Sequence, residues 1–255
     1  YQESYAAAIA AIGRAATGAV PAERPGLSVK LSALHPRYEA AQRHRALGEL
    51  VPRVLALAEM AAEARLGFCI DAEEVDRLDL SFDVIEAVAM DKRLQGWDGF
   101  GLAVQAYQKR AVAAIEWLAD LAWRARRRLM VRLVKGAYWD SEIKRSQEGG
   151  FTGYPVFTRK VATDVSYLAC ARRLLAEPER FYAQFASHNA QTVAAIAVLA
   201  EGRGDFEYQR LHGMGEALYG VAAQAAGVTA PCRIYAPVGG HEDLLAYLVR
   251  RLLEN

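Results

Sequence analysis

Apolar residues in this chain come in short blocks, and nearly every block ends on a polar residue. Seven blocks read as buried strands: Leu27–Leu31, Gly67–Ile70, Gly101–Val104, Leu129–Val134, Phe181–Ala186, Phe206–Leu211 and Arg233–Tyr235. Strings such as SVKLSAL and RLMVRLVKG are almost continuously apolar, which suits a parallel sheet covered on both faces. Between the blocks, apolar residues recur at i, i+3, i+4 and i+7. That spacing predicts helices over Leu47–Arg65, Val75–Met90, Ala111–Arg128, Val161–Leu175, Ala190–Glu201, Glu216–Ala226 and Glu242–Glu254. Tyr1–Gly13 is also helical in pattern, without a start signal, so the chain is expected to be an excerpt of a longer one. Strands recur roughly every 25–50 residues, the interval of βα units.

No linker or shift of composition divides residues 1–255, and one domain is expected. The fold class is α/β: a distorted (β/α)8 barrel lacking its first strand in this chain, because seven strands follow the leading helix and a closed barrel needs eight. A doubly wound open sheet is the alternative, weakened by the lack of a GxGxxG turn after an early strand. The residues at the strand ends are Lys30, Asp71, Gln105, Lys135, His188, His212 and Tyr235. Polar groups at the same end of successive parallel strands make a ring around one mouth, where β/α barrels place their active sites.

Composition narrows the function. The chain has 255 residues, 53% hydrophobic and 24% charged, with a net charge of +1. Near-neutrality removes the electrostatic case for nucleic acid. Cys69, Cys170 and Cys232 lie far apart, so three buried, reduced thiols are expected, together with a reducing compartment. The five histidines are scattered and form no HxH or HExxH, so no metal site is expected.

Several segments carry candidate chemistry. Tyr247, Arg250, Arg251 and Glu254 share one face of the last predicted helix. Two guanidiniums there could clamp a carboxylate through paired charge-assisted bonds, or the stripe could be a solvated face. In VRLVKGAYWD, Arg132 and Lys135 lie in and just after an apolar strand. They require a carboxylate or an anionic ligand, and an ion pair of Arg132 with Asp71 is the structural alternative. Gly136 permits close backbone approach to a ligand, and Tyr138 and Trp139 could stack on a planar ring. His188 and Asn189 precede a helix and could bind phosphate, or Asn189 could simply cap it. Glu73 and Glu74, behind Asp71, read as first-turn helix residues. The run Arg124–Arg128 reads as a solvated helix end.

Together, LSVKLSALHPRY, IDAEE, QAYQKR, VRLVKGAYWDSEIKRSQ, TRKVATDVSYLACARRLLA, HNAQT, LHGMGE, RIYAPVG and LLAYLVRRLLEN resemble the proline dehydrogenase domain of the bacterial bifunctional proline utilization A flavoproteins, from Gly26 to Asn255. The resemblance implies non-covalent FAD and oxidation of L-proline to Δ1-pyrroline-5-carboxylate by hydride transfer to flavin N5. A quinone would accept the electrons. It places the substrate carboxylate on Lys30, Arg250 and Arg251. It lines the pocket with Asp71, Tyr138, Leu211, Tyr235 and Tyr247. Gln105 and Arg132 would face the flavin ring. Lys135, Gly136, Ala137, Trp139, Thr158, Lys160, Thr163, His188, Asn189 and Glu254 would surround the rest of the FAD. It also implies a fused aldehyde dehydrogenase domain in the parent protein, a bacterial cytoplasmic location and at most peripheral membrane contact. The family's first strand carries an acidic partner for one of the arginines, and this chain begins after it. Two other readings remain: a Schiff-base lyase or aldolase using Lys135, or a non-catalytic amino-acid-binding remnant.

Overall fold

The computed structural model describes residues 1–224 and 230–238, so the predicted helix Glu242–Glu254 lies outside the described residues. The chain divides into two compact units, Tyr1–Phe185 and Ala186–Asn255.

The first unit alternates parallel strands with helices. Its strands are β1 (Gly26–Val29), β2 (Gly67–Ile70), β3 (Phe100–Gln105), β4 (Leu129–Val134) and β5 (Phe181–Ala186, ending on the first residue of the second unit). Each of these strands pairs in parallel with the next, as the βα spacing requires. The helices are α1 (Gln2–Ala15), the short α2 (Leu31–Leu34), α3 (Arg43–Glu63), α4 (Leu78–Ala89), α5 (Ala111–Ala125), α6 (Trp139–Glu148) and α7 (Lys160–Leu175).

The strands are less uniform than their apolar content suggests. Successive side chains alternate between faces, and the register aligns two different rows. One row holds large apolar groups: Leu27 and Val29, Phe68 and Ile70, Phe100 and Leu102, Val131 and Leu133, Phe181 and Phe185, all buried. The other row is small on β1 to β3, with Ser28, Cys69, Gly101 and Ala103, and carries Met130, Arg132, Tyr182 and Gln184 on β4 and β5. Burial of the first row stabilises the sheet at roughly 25 cal/mol per Å² of apolar surface. The second row leaves lateral room beside Arg132. Gly101 fits it closely: a Cβ there would lie 2.0 Å from the Met130 carbonyl oxygen of β4.

The second unit contains α8 (Ala190–Ala200), β6 (Glu207–Leu211), α9 (Glu216–Ala222) and β7 (Cys232–Tyr235). β6 and β7 pair in parallel from Tyr208 opposite Cys232 to Leu211 opposite Tyr235. The buried Glu207 carboxylate receives Arg233 Nε at 2.7 Å and Gln209 Nε2 at 2.7 Å. A carboxylate inside a strand is stabilised by such charge-assisted bonds.

Four expectations change. Leu31 opens α2 rather than ending β1, because the chain leaves the sheet at Lys30. The polar segment WDSEIKRSQE forms α6, where no helix was expected. Arg127 is 8% exposed and donates to the Leu94 carbonyl at 3.1 Å, so the arginine run is not uniformly solvated. Arg126 adopts a left-handed conformation that ends α5 and turns the following side chain inward. Cys69 and Cys170 are buried, but Cys232, at the start of β7, is exposed. Among the described residues, no helix is long and apolar enough to cross a membrane.

Gly101→Ala is expected to destabilise the protein by about 3 kcal/mol, since the obstructing atom is backbone and cannot rotate away. The shift of the urea midpoint at constant m-value measures it.

Candidate active site

Two strand ends and one strand interior of the first unit converge on one carboxylate. Asp71 extends β2 by one residue, donating its N–H to the Val29 carbonyl at 2.9 Å. Its Oδ2 lies 3.3 Å from Lys30 Nζ, just beyond β1. Its Oδ1 receives Arg132 Nη1 of β4 at 3.0 Å, while Arg132 Nη2 donates to Ser28 Oγ at 2.8 Å. The side chains of Asp71 and Arg132 are only 18% and 12% exposed, whereas that of Lys30 is 44% exposed. Arg132 is thus fixed inside the sheet, and the ammonium retains access to solvent. The ion pair weighed as an alternative for Arg132 is present, and it includes Lys30 as well.

Electrostatics bind the set together. Burial alone would lower the Lys30 pKa; Asp71, with Tyr138 and Glu73 nearby, outweighs it and raises the value. Burial raises the Tyr138 phenol, and the Lys30 charge opposes that rise. Tyr138 therefore stands against the ammonium as well. The Lys30 backbone is also held, its N–H donating to Tyr5 Oη of α1 at 3.2 Å.

A second layer positions the loops. The buried Gln105 amide donates to the Glu73 carbonyl at 2.9 Å and accepts from Ala137 N–H at 3.1 Å. It ties the loop after β2 to the loop after β4. Gly136 has φ +150°, and a Cβ there would fall 2.4 Å from the Tyr107 ring. The close approach that requires glycine is made by that ring. Beyond it, Lys135 Nζ reaches Asp164 Oδ1 at 2.5 Å, and Lys160 Nζ reaches Asp164 Oδ2 at 2.8 Å. The two lysines together outweigh the desolvation of Asp164 and hold its pKa below the usual range. Trp139 donates its indole N–H to the Phe157 carbonyl at 2.9 Å. That bond fastens α6 to the loop carrying exposed Thr158, while Thr163 is buried on α7.

In the second unit, His188 Nε2 accepts the Leu211 N–H at 3.0 Å. Asn189 Oδ1 caps α8 through the Thr192 N–H at 2.9 Å, the capping role weighed from the sequence. Burial, and secondarily the Arg210 charge, lower the His188 pKa. The half-buried Tyr235 closes β7. Tyr247, Arg250, Arg251 and Glu254 lie outside the described residues.

The structure therefore brings Lys30, Asp71, Arg132 and Tyr138 together, with Gln105 at the end of β3 bonded to Ala137 in the loop after β4. Lys135 and Lys160 share a separate carboxylate. Ser28, Tyr5, Glu73, Tyr107 and Asp164 are partners that sequence reasoning did not assign. Glu73 and Glu74 are not first-turn helix residues: Glu74 precedes a short 3-10 turn, and Glu73 bonds across to α2.

Parallel βα units with charged side chains converging beyond the strand ends define an enzyme of the β/α-barrel class. The chain belongs to the proline dehydrogenase family, whose model matches residues 1–255. It is 59% identical over 264 residues to the bifunctional protein PutA of Klebsiella aerogenes, covering 100% of this chain and 20% of that protein. The Escherichia coli (strain K12) bifunctional protein PutA is 58% identical, again over 100% of this chain and 20% of the relative. A structure of proline utilization A with proline bound in remote sites matches with a TM-score of 0.96 at 60% identity, over 100% of this chain and 26% of the other. Proline utilization A from Bdellovibrio bacteriovorus, inactivated by N-propargylglycine, matches with a TM-score of 0.92 at 30% identity, over 100% and 28%. The fold class is accordingly the distorted α/β barrel of this family. The chain spans about a fifth of the length of the curated relatives it matches.

Asp71→Asn keeps the shape but removes the shared negative charge. It is expected to cost about 1.5–3 kcal/mol, the scale of hydrogen bonds to charged groups, measured by equilibrium urea unfolding. His188 has a folded pKa below its reference value of 6.5, so the unfolded chain binds more protons in the intervening window. Its contribution to stability is complete above about pH 6.5 and falls away as pH drops below it. His188→Gln, which keeps an acceptor for Leu211 without titrating, is expected to flatten that part of the stability–pH profile in thermal melts.

Proposed function

We propose that this chain is the proline-oxidising domain of a bifunctional proline utilization A protein. The observation that carries this reading is the Lys30–Asp71–Arg132 set, two residues just beyond the ends of β1 and β2 and one within β4. Lys30 offers a partly exposed ammonium to a small carboxylate, and Arg250 and Arg251 would add two guanidiniums. By the family resemblance, these groups would hold the carboxylate of L-proline, and Asp71, Tyr138, Leu211, Tyr235 and Tyr247 are the other proposed substrate residues.

The residues present suit FAD. Arg132, fixed by Ser28 and Asp71, would face its ring with Gln105, and Lys135 and Lys160 with Thr158 and Thr163 would suit an anionic diphosphate. Trp139, Gly136, Ala137, His188, Asn189 and Glu254 complete the proposed cofactor residues. Bound FAD would supply the hydride acceptor for converting L-proline to Δ1-pyrroline-5-carboxylate. The chain's own contribution is orientation and charge. A fixed carboxylate holds the substrate ring in one pose, and Arg132 stabilises negative charge that develops opposite it. A neutral substrate amine would require no strong general base. Electrons would leave to a membrane quinone, through peripheral contact from the cytoplasmic side. The 255 residues would act as one barrel domain, fused to an aldehyde dehydrogenase domain in the parent protein.

The Schiff-base reading fares worse. A nucleophilic amine must be free, and Lys135 is held in an ion pair with Asp164. Anaerobic L-proline is expected to bleach the flavin band of the full-length protein; an unchanged spectrum at saturating proline overturns the assignment. Arg251→Met is expected to raise the proline KM at least about tenfold, or about 1.4 kcal/mol, with FAD retained. Loss of FAD at unchanged proline affinity contradicts its role. Arg132→Met is expected to lower the flavin reduction potential, measured by dye-equilibrated reductive titration.

A further inference from the structure

Lys30 occupies the N-cap position of α2, and it caps nothing. A lysine side chain has no acceptor, so the first N–H groups of that helix need a partner from elsewhere. Glu73 provides it: its Oε1 accepts the Ser32 N–H at 3.0 Å. The Glu73 side chain is only 6% exposed, and its other oxygen lies 3.3 Å from Arg77 Nη1. Glu73 follows Asp71 by two residues. One loop therefore supplies both the counter-ion for the tip of Lys30 and the bond that fixes the chain just after its root.

That loop is anchored along its length. Asp71 N–H is bound to Val29, the Glu73 carbonyl is held by Gln105, and Val75 N–H donates to Glu142 Oε1 at 2.8 Å. Lys30 has four side-chain rotors, and an ammonium aimed only by its own rotamers would sweep a wide arc. Fixing the backbone on both sides narrows it, with Tyr5 on the Lys30 N–H and Glu73 on Ser32. We propose that Glu73 is a positioning residue for substrate recognition: as a cross-strand cap on α2, it sets the Lys30 ammonium where the substrate carboxylate is received.

This rests on the proline-oxidising reading, and the test separates the two. The full-length holoenzyme is titrated with tetrahydrofuran-2-carboxylate, a ring carboxylate without the amine, and its KM and kcat for L-proline are measured. Glu73→Gln keeps the acceptor for Ser32 and loses the charge facing Arg77. Glu73→Asp keeps the charge and withdraws the acceptor by one methylene. The cap predicts near-native KM and analogue Kd for Glu73→Gln. It predicts a rise of both by about tenfold for Glu73→Asp and Glu73→Ala, with kcat changed less than about twofold, equivalent to about 1.4 kcal/mol of lost carboxylate binding. Arg77→Met removes the ion pair, together with the Arg77 contacts to Glu74 and the Tyr38 ring, while sparing the Ser32 bond, and leaves both constants unchanged. The reverse order, with Glu73→Gln impaired and Glu73→Asp native-like, overturns the proposal, because charge rather than the cap would then matter. So does an equal rise in Arg77→Met. The Gln and Asp variants decide the matter if Glu73→Ala fails to fold. A wild-type protein that binds no analogue and is not reduced by L-proline sinks the functional reading itself.

Discussion

A single carboxylate placed between two cations organises this structure. Asp71 receives the Arg132 guanidinium from inside the sheet and the Lys30 ammonium from its rim. Neither cation could be kept near an apolar strand without a counter-charge. Lys30 is the less buried partner, and its ammonium keeps access to solvent.

The sheet makes that arrangement possible by dividing its faces. Large side chains such as Phe68, Phe100 and Phe185 fill one row. Ser28, Cys69, Gly101 and Ala103 keep the other row low, so an arginine from β4 can reach across to a serine on β1. The Cys69 thiol within this row has its pKa pushed up to about 11 by burial, only partly opposed by Arg132. It remains a neutral filler and not a reactive thiolate.

Much of the architecture was legible in the sequence. Strands β2, β4 and β5 fall at their expected limits, and the others differ by one or two residues at their ends. Of the polar residues that close them in the first unit, Lys30 meets Asp71, whereas Gln105 bonds to the Glu73 carbonyl and Lys135 pairs with Asp164. The two alternating rows were hidden, because glycine, alanine and cysteine count as apolar while behaving as absent bulk. Helix α6 was hidden for the opposite reason: WDSEIKRSQE has too little apolar periodicity to announce itself, and it is held by Glu142 and Trp139 bonds to distant loops. Glu73 was misread because an acidic residue shortly before a helix normally serves that helix's own dipole. Here it serves a neighbour 41 residues earlier, a partner that periodicity cannot reveal. For Arg250 and Arg251 the sequence pattern stands alone, since both lie outside the described residues.

Gly136 and Tyr107 are 29 positions apart in the chain and in van der Waals competition for the same space. Neither can drift independently: a side chain at one requires a smaller ring at the other, and either single step is a loss. Mutational paths through this pair must cross a fitness valley, so descendants of this sequence should retain both or exchange them as a unit.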